Sequence, residues 1–224
     1  MKRTFFVFLF CLSLFAAQTV CASSYEWANL TSAGSGTVSG VFPSTGVTVT
    51  YTGTDLNWSQ INNVGTDWWS GNNCPGPCPA YIYPGVPFPS NVDMISINGD
   101  GSQHTIAFSS PVTNPVMALI SLGQPSVYTT YYFDQPFTIL QDGIGWWGGP
   151  GTLSLVSGNG LQGIEGDGLI VFNGTFSEIT WTGTNSEYWN GFNVAAPVPE
   201  PGSLMLLGTS VLGVAGLLRR KILG

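Results

Sequence analysis

His104-Thr-Ile-Ala-Phe108, the break Ser109-Ser-Pro-Val-Thr-Asn-Pro115, and then Val116-Met-Ala-Leu-Ile120 decide the fold. The first run alternates polar and apolar residues with a period of two, as a strand with one buried face does. The break is built of turn formers. The second run is apolar and again rich in Val and Ile. The same pattern extends in both directions. Val47-Thr-Val-Thr-Tyr51 and Val92-Asp-Met-Ile-Ser-Ile97 precede it. Val127–Phe133, Phe137–Leu140, Thr152–Val156, Leu169–Phe172, Phe176–Trp181 and Tyr188–Val194 follow. Nothing between them carries the period of a long helix. About ten to twelve short strands with Gly, Pro, Asn and Ser between them predict an all-β antiparallel sandwich, jelly-roll-like, with each sheet wetted on one face.

Residues 58–89 depart from this pattern. They hold Trp68-Trp69, Cys74-Pro-Gly-Pro-Cys78 and six prolines from Pro75 to Pro89. The composition predicts a long surface loop with little regular structure. The Pro-Gly-Pro turn brings Cys74 and Cys78 together, and outside the cytoplasm a disulfide is the favoured state. So short a loop gains at the low end of the usual ~2–4 kcal/mol.

The two ends read as addresses. Lys2-Arg3, the apolar stretch Thr4–Phe15 and the small residues of Val20-Cys21-Ala22 form a signal peptide and helix over residues 1–22. At the other end a Pro-rich stretch leads into an uncharged apolar run, residues 203–218, and then Arg219, Arg220 and Lys221. That order predicts a single transmembrane helix with a cytoplasmic basic stop. Ala195–Pro201 reads as a stiff linker. The exported domain is therefore bounded at residues 23–196, and 197–224 form the terminal signal.

The chain has 5 Lys and Arg, 12 Asp and Glu, and a net charge of −7. All five cations lie in the two address segments. Residues 23–196 keep every acid except Glu200 and have no Lys or Arg. Nucleic acid is excluded as a partner, since no basic footprint exists. Clamping of phosphate by Arg or Lys is excluded as well. No internal salt bridge is possible on this count, so stability rests on apolar burial, strand ladders and aromatic packing.

Val198-Pro199-Glu200-Pro201, the apolar run after it and Arg219-Arg220 closely resemble the PEP-CTERM proteins of bacteria. The same terminal segment is also called an ice-binding protein C-terminal domain, a label that implies no ice binding here. The resemblance implies export across the inner membrane of a Gram-negative bacterium and anchoring, transient or permanent, by the C-terminal helix. It implies recognition of Val198, Pro199, Glu200 and Pro201 by an exosortase, and a final place at the cell surface or outside the cell, with exopolysaccharide or biofilm. Catalysis in that sorting belongs to the exosortase.

For the body the residues indicate no enzyme, no cofactor and no metal. His104, the one histidine, falls inside an alternating strand and reads as a strand residue, with no nucleophile elbow to serve. Carboxylate pairs such as Glu165 with Asp167, or Glu178 with Glu187, are the chemistry of a glycoside hydrolase. Asn98-Gly-Asp100-Gly and Glu165-Gly-Asp167-Gly are oxygen-rich turns that a calcium-dependent carbohydrate-binding module would use. The expected role is a structural or adhesive component near extracellular polysaccharide. Trp68, Trp69, Trp146 and Trp147 are the candidate sugar contacts, one of each adjacent pair facing the core and the other solvent.

Overall fold

The computed structural model describes residues 24–98, 101–149, 151–184 and 187–198. The expected signal helix, the transmembrane helix at 203–218 and the motif residues beyond Val198 lie outside these. Among the described residues no helix is long and apolar enough to cross a membrane.

Among the described residues seventeen strands follow one another. The first seven are β1 (Tyr25–Trp27), β2 (Asn29–Gly34), β3 (Thr37–Val41), β4 (Thr48–Thr52), β5 (Leu56–Gln60), β6 (Ser70–Gly71) and β7 (Cys74–Pro77). A 3-10 turn, Pro79–Tyr81, separates them from the next group. That group is β8 (Met94–Ile97), β9 (Gln103–Thr113), β10 (Val116–Leu122), β11 (Thr129–Phe133) and β12 (Phe137–Asp142). The last are β13 (Thr152–Val156), β14 (Gly160–Ile164), β15 (Gly166–Phe172), β16 (Thr175–Gly183) and β17 (Asn190–Pro197).

One sheet runs β12-β15-β10-β17-β8-β5, with β1 also on β17, and the other runs β13-β14-β11-β16-β9-β4-β3-β2. Neighbouring strands are antiparallel, as in the β10–β15 and β9–β16 ladders. From β8 to β11 and from β14 to β17 the chain alternates between the sheets at almost every connection. This gives β8-β17-β10-β15 facing β9-β16-β11-β14, the two interlocked Greek keys of a jelly roll.

The sandwich core is strongly aromatic. Phe133 meets Phe172 at 5.0 Å and Trp181 at 5.6 Å, and Tyr51 meets Phe192 at 5.6 Å. His104 is wholly buried here, stacked on Trp181 at 5.1 Å. Its Nδ1 lies 3.3 Å from Asp55 and 3.0 Å from the Tyr51 hydroxyl. Internal ion pairs are thus not ruled out by the missing Lys and Arg: the sole histidine supplies one when protonated.

The central strands of the first sheet, β8, β17, β10 and β15, are buried on both faces, contrary to the alternation rule. In β10, Met117 and Leu119 enter the sandwich, while Val116, Ala118 and Ile120 enter a second core on the outer face. Leu169 and Val171 of β15 and Met94 of β8 join them there. The cover is the segment expected to be a plain surface loop. Trp69, Ala80, Tyr81, Val86 and the bonded pair Cys74–Cys78, with Cα atoms 5.0 Å apart, pack onto the sheet. The loop also has local order: β6 and β7 pair, and the 3-10 turn follows. Chain that buries this much apolar side chain behaves as a third layer of the domain.

The linker begins later than its composition suggests. Ala195 and Ala196 are buried in β17, and Pro197 pairs with Tyr25 of β1. Val198 N–H donates to Ser24 O at 2.7 Å. The amino and carboxyl ends of the body therefore leave it side by side.

Candidate functional site

Five tryptophans from separate parts of the chain converge on one end of the sandwich. Trp58 comes from β5, Trp68 from the stapled loop, Trp146 and Trp147 from the segment after β12, and Trp189 from the approach to β17. Trp68 is the hub, with ring centroids 5.0 Å from Trp146, 5.3 Å from Trp189, 5.6 Å from Trp147 and 6.2 Å from Trp58. Trp58 also meets Trp189 at 5.2 Å. Trp58 is 36% exposed, Trp147 44% and Tyr188 87%. The inner rings hold the outer ones, so an apolar aromatic face is presented to solvent.

Local bonding explains these positions. The Trp68 indole donates to Gln60 Oε1 at 3.2 Å. Buried Gln60 also accepts from Thr66 N–H and donates to the carbonyls of Thr66 and Val92. Asp67 accepts the Trp69 N–H at 3.0 Å, turning the next ring the other way. Trp69 is 1% exposed and lies edge-on to Tyr81 at 5.1 Å. It is core, and cannot be the sugar contact expected of it. Trp68 and Trp146 are half-buried support, and Trp147 is the exposed member of its pair. Trp58, Tyr188 and Trp189 were not anticipated. Tyr188-Trp189 is another adjacent aromatic pair, which was the available signal.

The Trp146–Trp147 segment is fastened on two sides. The Trp146 carbonyl accepts from the amides of Asn72 and Asn73 at 3.0 and 3.1 Å, immediately before Cys74. On the other side Gly143 N–H donates to Asp167 O, and Asp167 N–H to Gly151 O. A side chain at Gly145 would fall within the Asp167 carboxyl group. Asp167 is itself pinned, accepting from Tyr81 Oη at 3.0 Å and Ser121 N–H at 3.1 Å. Gly145→Ala is expected to cost about 1–3 kcal/mol by overpacking and to lift the Trp loop. Weakened near-ultraviolet circular dichroism from the tryptophans, with a lowered melting temperature, checks this.

Beside Trp147 opens a cleft of about 170 Å³, lined among others by Ser121, Glu165, Glu187, Tyr188 and Trp189. It adjoins a shallower hollow of about 470 Å³ that shares Trp147 and Glu165. Two lining residues hold the left-handed backbone region, Ser121 at φ 57° and Glu165 at φ 49°. Such strain costs on the order of 1–2 kcal/mol per residue and concentrates at functional sites. The two are joined, Ser121 Oγ donating to Glu165 Oε2 at 2.7 Å. The β10–β15 register shift between Leu119 and Leu122 makes room for that turn.

Burial raises the Asp167 carboxyl to about 7, against the Ser121 and Tyr81 hydrogen bonds, and the Glu165 charge adds to it. Burial raises Glu187 to about 8, against the Asn190 amide, with Glu165 again adding. The expected pair of Glu165 with Asp167 is adjacent, yet Asp167 faces inward under Gly145. Glu187 takes the place beside Glu165 in the cleft. Glu178 is exposed on β16 and has no part in it. Among the described residues no three acidic, histidine or cysteine side chains are arranged to hold a metal ion. A separate groove of about 340 Å³ beside β1, between Tyr25, Tyr83 and Asn173, carries no carboxylate.

Comparison with solved structures gives weak likenesses. "CBM32 of AlyQ in complex with 4,5-unsaturated mannuronic acid" is 18% identical, covers 65% of this chain and 92% of that one, and has a TM-score of 0.28. "Truncated AlyQ with CBM32 and alginate lyase domains" is 16% identical, covers 80% of this chain and 35% of that one, and has a TM-score of 0.30. Neither likeness bears on the ligand. No curated protein matches the chain. The family model of the PEP-CTERM protein-sorting motif matches residues 197–221. Residues 197–221 are thus a PEP-CTERM protein-sorting motif, and the chain is addressed for export and exosortase sorting.

Proposed function

We propose that the exported body is a non-catalytic adhesive module that holds extracellular polysaccharide on its tryptophan face, after an exosortase has acted on the C-terminal signal. One observation carries this reading: Trp58, Trp147 and Trp189 are gathered beside the exposed ring of Tyr188 over a carboxyl-lined cleft. Contiguous exposed apolar surface marks interaction sites in soluble domains. Flat indole rings stack on the apolar faces of sugars, while carboxyl and amide groups beside them take the hydroxyls. The sorting motif supports the setting, a surface in contact with secreted glycans.

The test is a pull-down of the processed protein on matrix polysaccharide from the producing cells. The reading expects wild type to be retained and Trp147→Ala to be depleted at least about tenfold from the pellet, as loss of a central anchoring aromatic does. Equal retention of the variant, or none of wild type above a denatured control, contradicts it. A glycoside hydrolase is the second reading, favoured by Glu165 and Glu187 lining one cleft with Glu187 held protonated at neutral pH. Release of reducing ends from the same polysaccharide, abolished by Glu187→Gln, would establish hydrolysis instead. The adhesive reading expects none.

A further inference from the structure

The cleft beside Trp147 has a wall of rings and a wall of carboxyls. Trp147, Tyr188 and Trp189 make the first, Glu165 and Glu187 the second. No cationic side chain of the body is available to the second wall. Residues 23–196 have no Lys or Arg, and the one histidine is committed to Asp55 inside the sandwich. Glu187 is only 6% exposed. Asn190 Nδ2 donates to its Oε1 and the Gly123 N–H also favours the carboxylate, while Oε2 makes no hydrogen bond of good geometry among the described residues. A buried carboxyl oxygen left unmet is costly, so this oxygen points to a partner arriving from outside the chain.

The two walls narrow the chemistry of that donor. A sugar hydroxyl would meet Oε2 but bring no cation to the acidic wall. A metal ion would answer the charge, but the aromatic wall offers it no oxygen, and no triad of ligating side chains is assembled among the described residues. A protonated amine answers both: it brings three N–H donors and a positive charge, and ring faces attract it. A uronate or sulfated glycan would meet only like charge. We propose that this cleft binds the protonated amine of an amino sugar, so that the body recognises a partly de-N-acylated hexosamine polymer. The proposal rests on the carbohydrate-binding reading and adds the charge of the ligand to it.

Binding should then move a proton. Glu187 faces Glu165 across the cleft, Asn190 on β17 and Tyr131 on β11, whose hydroxyl donates to Asn190 and which also feels Asp55. Asp167 lies behind Glu165. Burial and the Glu165 charge oppose ionisation of Glu187, and the Asn190 amide and Gly123 N–H favour it. An ammonium seated at Oε2 favours the carboxylate, and the carboxyl gives up its proton to solvent as the amine enters.

The test is calorimetry on the processed protein in two buffers of different ionisation enthalpy near pH 7. The probes are a glucosamine oligomer, the same oligomer fully N-acetylated, a uronate oligomer of equal length and oligolysine. The expected result is binding of the amine form about tenfold or more tighter than the acetylated form, with proton release and no uronate binding. Glu165→Gln and Glu187→Gln should each erode that preference while leaving the acetylated oligomer bound. Glu165→Gln, at a half-exposed site, keeps the test usable if the buried variant folds poorly. Equal affinity for the two forms through Trp147 overturns the amine assignment and leaves carbohydrate binding standing. Oligolysine as tight as the glucosamine oligomer, or a preference unchanged in Glu165→Gln, also overturns it. If no oligosaccharide binds and Trp147→Ala is retained on matrix like wild type, both readings fall together.

Discussion

Acidifying the processed protein from about pH 8 to about pH 4 is expected to raise its melting temperature by more than about 5 °C. The direction follows from where the resolved carboxyl shifts lie. Asp167 moves from 3.8 to about 7 and Glu187 from 4.5 to about 8. Burial also raises Asp93, against hydrogen bonds from Leu30 and Asn63 N–H. A carboxyl raised in the folded state binds more protons there than in the unfolded chain. Its contribution to stability is complete below the unfolded value, near 4, and is lost as pH climbs through the folded value, near 7–8. Each shift of about three units corresponds to several kcal/mol. The usual counterforce in acid, repulsion among Lys and Arg once the carboxylates are neutral, has no source in residues 23–196. A melting temperature flat or falling from pH 8 to pH 4 would show that Asp167 and Glu187 are charged in the fold.

Tyr81→Ala is expected to cost about 3–5 kcal/mol and to release the stapled segment from the sheet. Tyr81 is fully buried at the centre of the second core, its ring against Trp69 at 5.1 Å and Phe88 at 6.5 Å. Its hydroxyl reaches Leu119 O at 3.1 Å and Asp167 Oδ1 at 3.0 Å. One hydroxyl proton serves only one acceptor. It goes either to the Leu119 carbonyl or to Asp167 Oδ1, which also takes the Ser121 N–H, so the two acceptors compete for it. Tyr81→Phe keeps the ring and should lose only about 1–2 kcal/mol. Denaturant midpoints measure both, and faster hydrogen exchange across residues 66–89 in the alanine variant reports the release. A loss under about 1 kcal/mol would mean that the segment is held by its disulfide and the Gln60 bonds alone.

The strands that were legible obeyed periodicity. Val47–Tyr51, His104–Phe108 and Phe176–Trp181 each pair where their alternation places them, in one sheet. Val116–Ile120 was legible as a strand but misjudged in its surroundings. Five apolar residues in a row signal two covered faces, and β10 has both. Gly160-Leu-Gln-Gly-Ile164 did not read as a strand, having two glycines and one β-branched residue in five. Close packing explains the choice, since a Cβ on Gly163 would come within 2.5 Å of Leu122 O. Leu56–Gln60 escaped notice as a polar edge strand.

The site was legible only in fragments. Adjacent tryptophans marked Trp68 and Trp147, but in a loop no period separates Trp68 from Trp69, and the Asp67 turn that does so is a tertiary outcome. The meeting of Trp58 with Trp189 depends on β5 and β17 flanking β8. Glu187 was named only as a partner for Glu178, which stands exposed on β16. The burial of Glu187 comes from Asn190 and Tyr131, which reach it from separate sheets of the sandwich.

The most direct measurement is the affinity of the processed protein for purified matrix polysaccharide, by titration calorimetry, for wild type, Trp147→Ala and Trp69→Phe. The account predicts saturable binding by wild type, loss of about tenfold or more in Trp147→Ala, and unchanged affinity in a folded Trp69→Phe. Wild-type affinity in Trp147→Ala would contradict it, because the exposed indole face would then not be where the glycan sits.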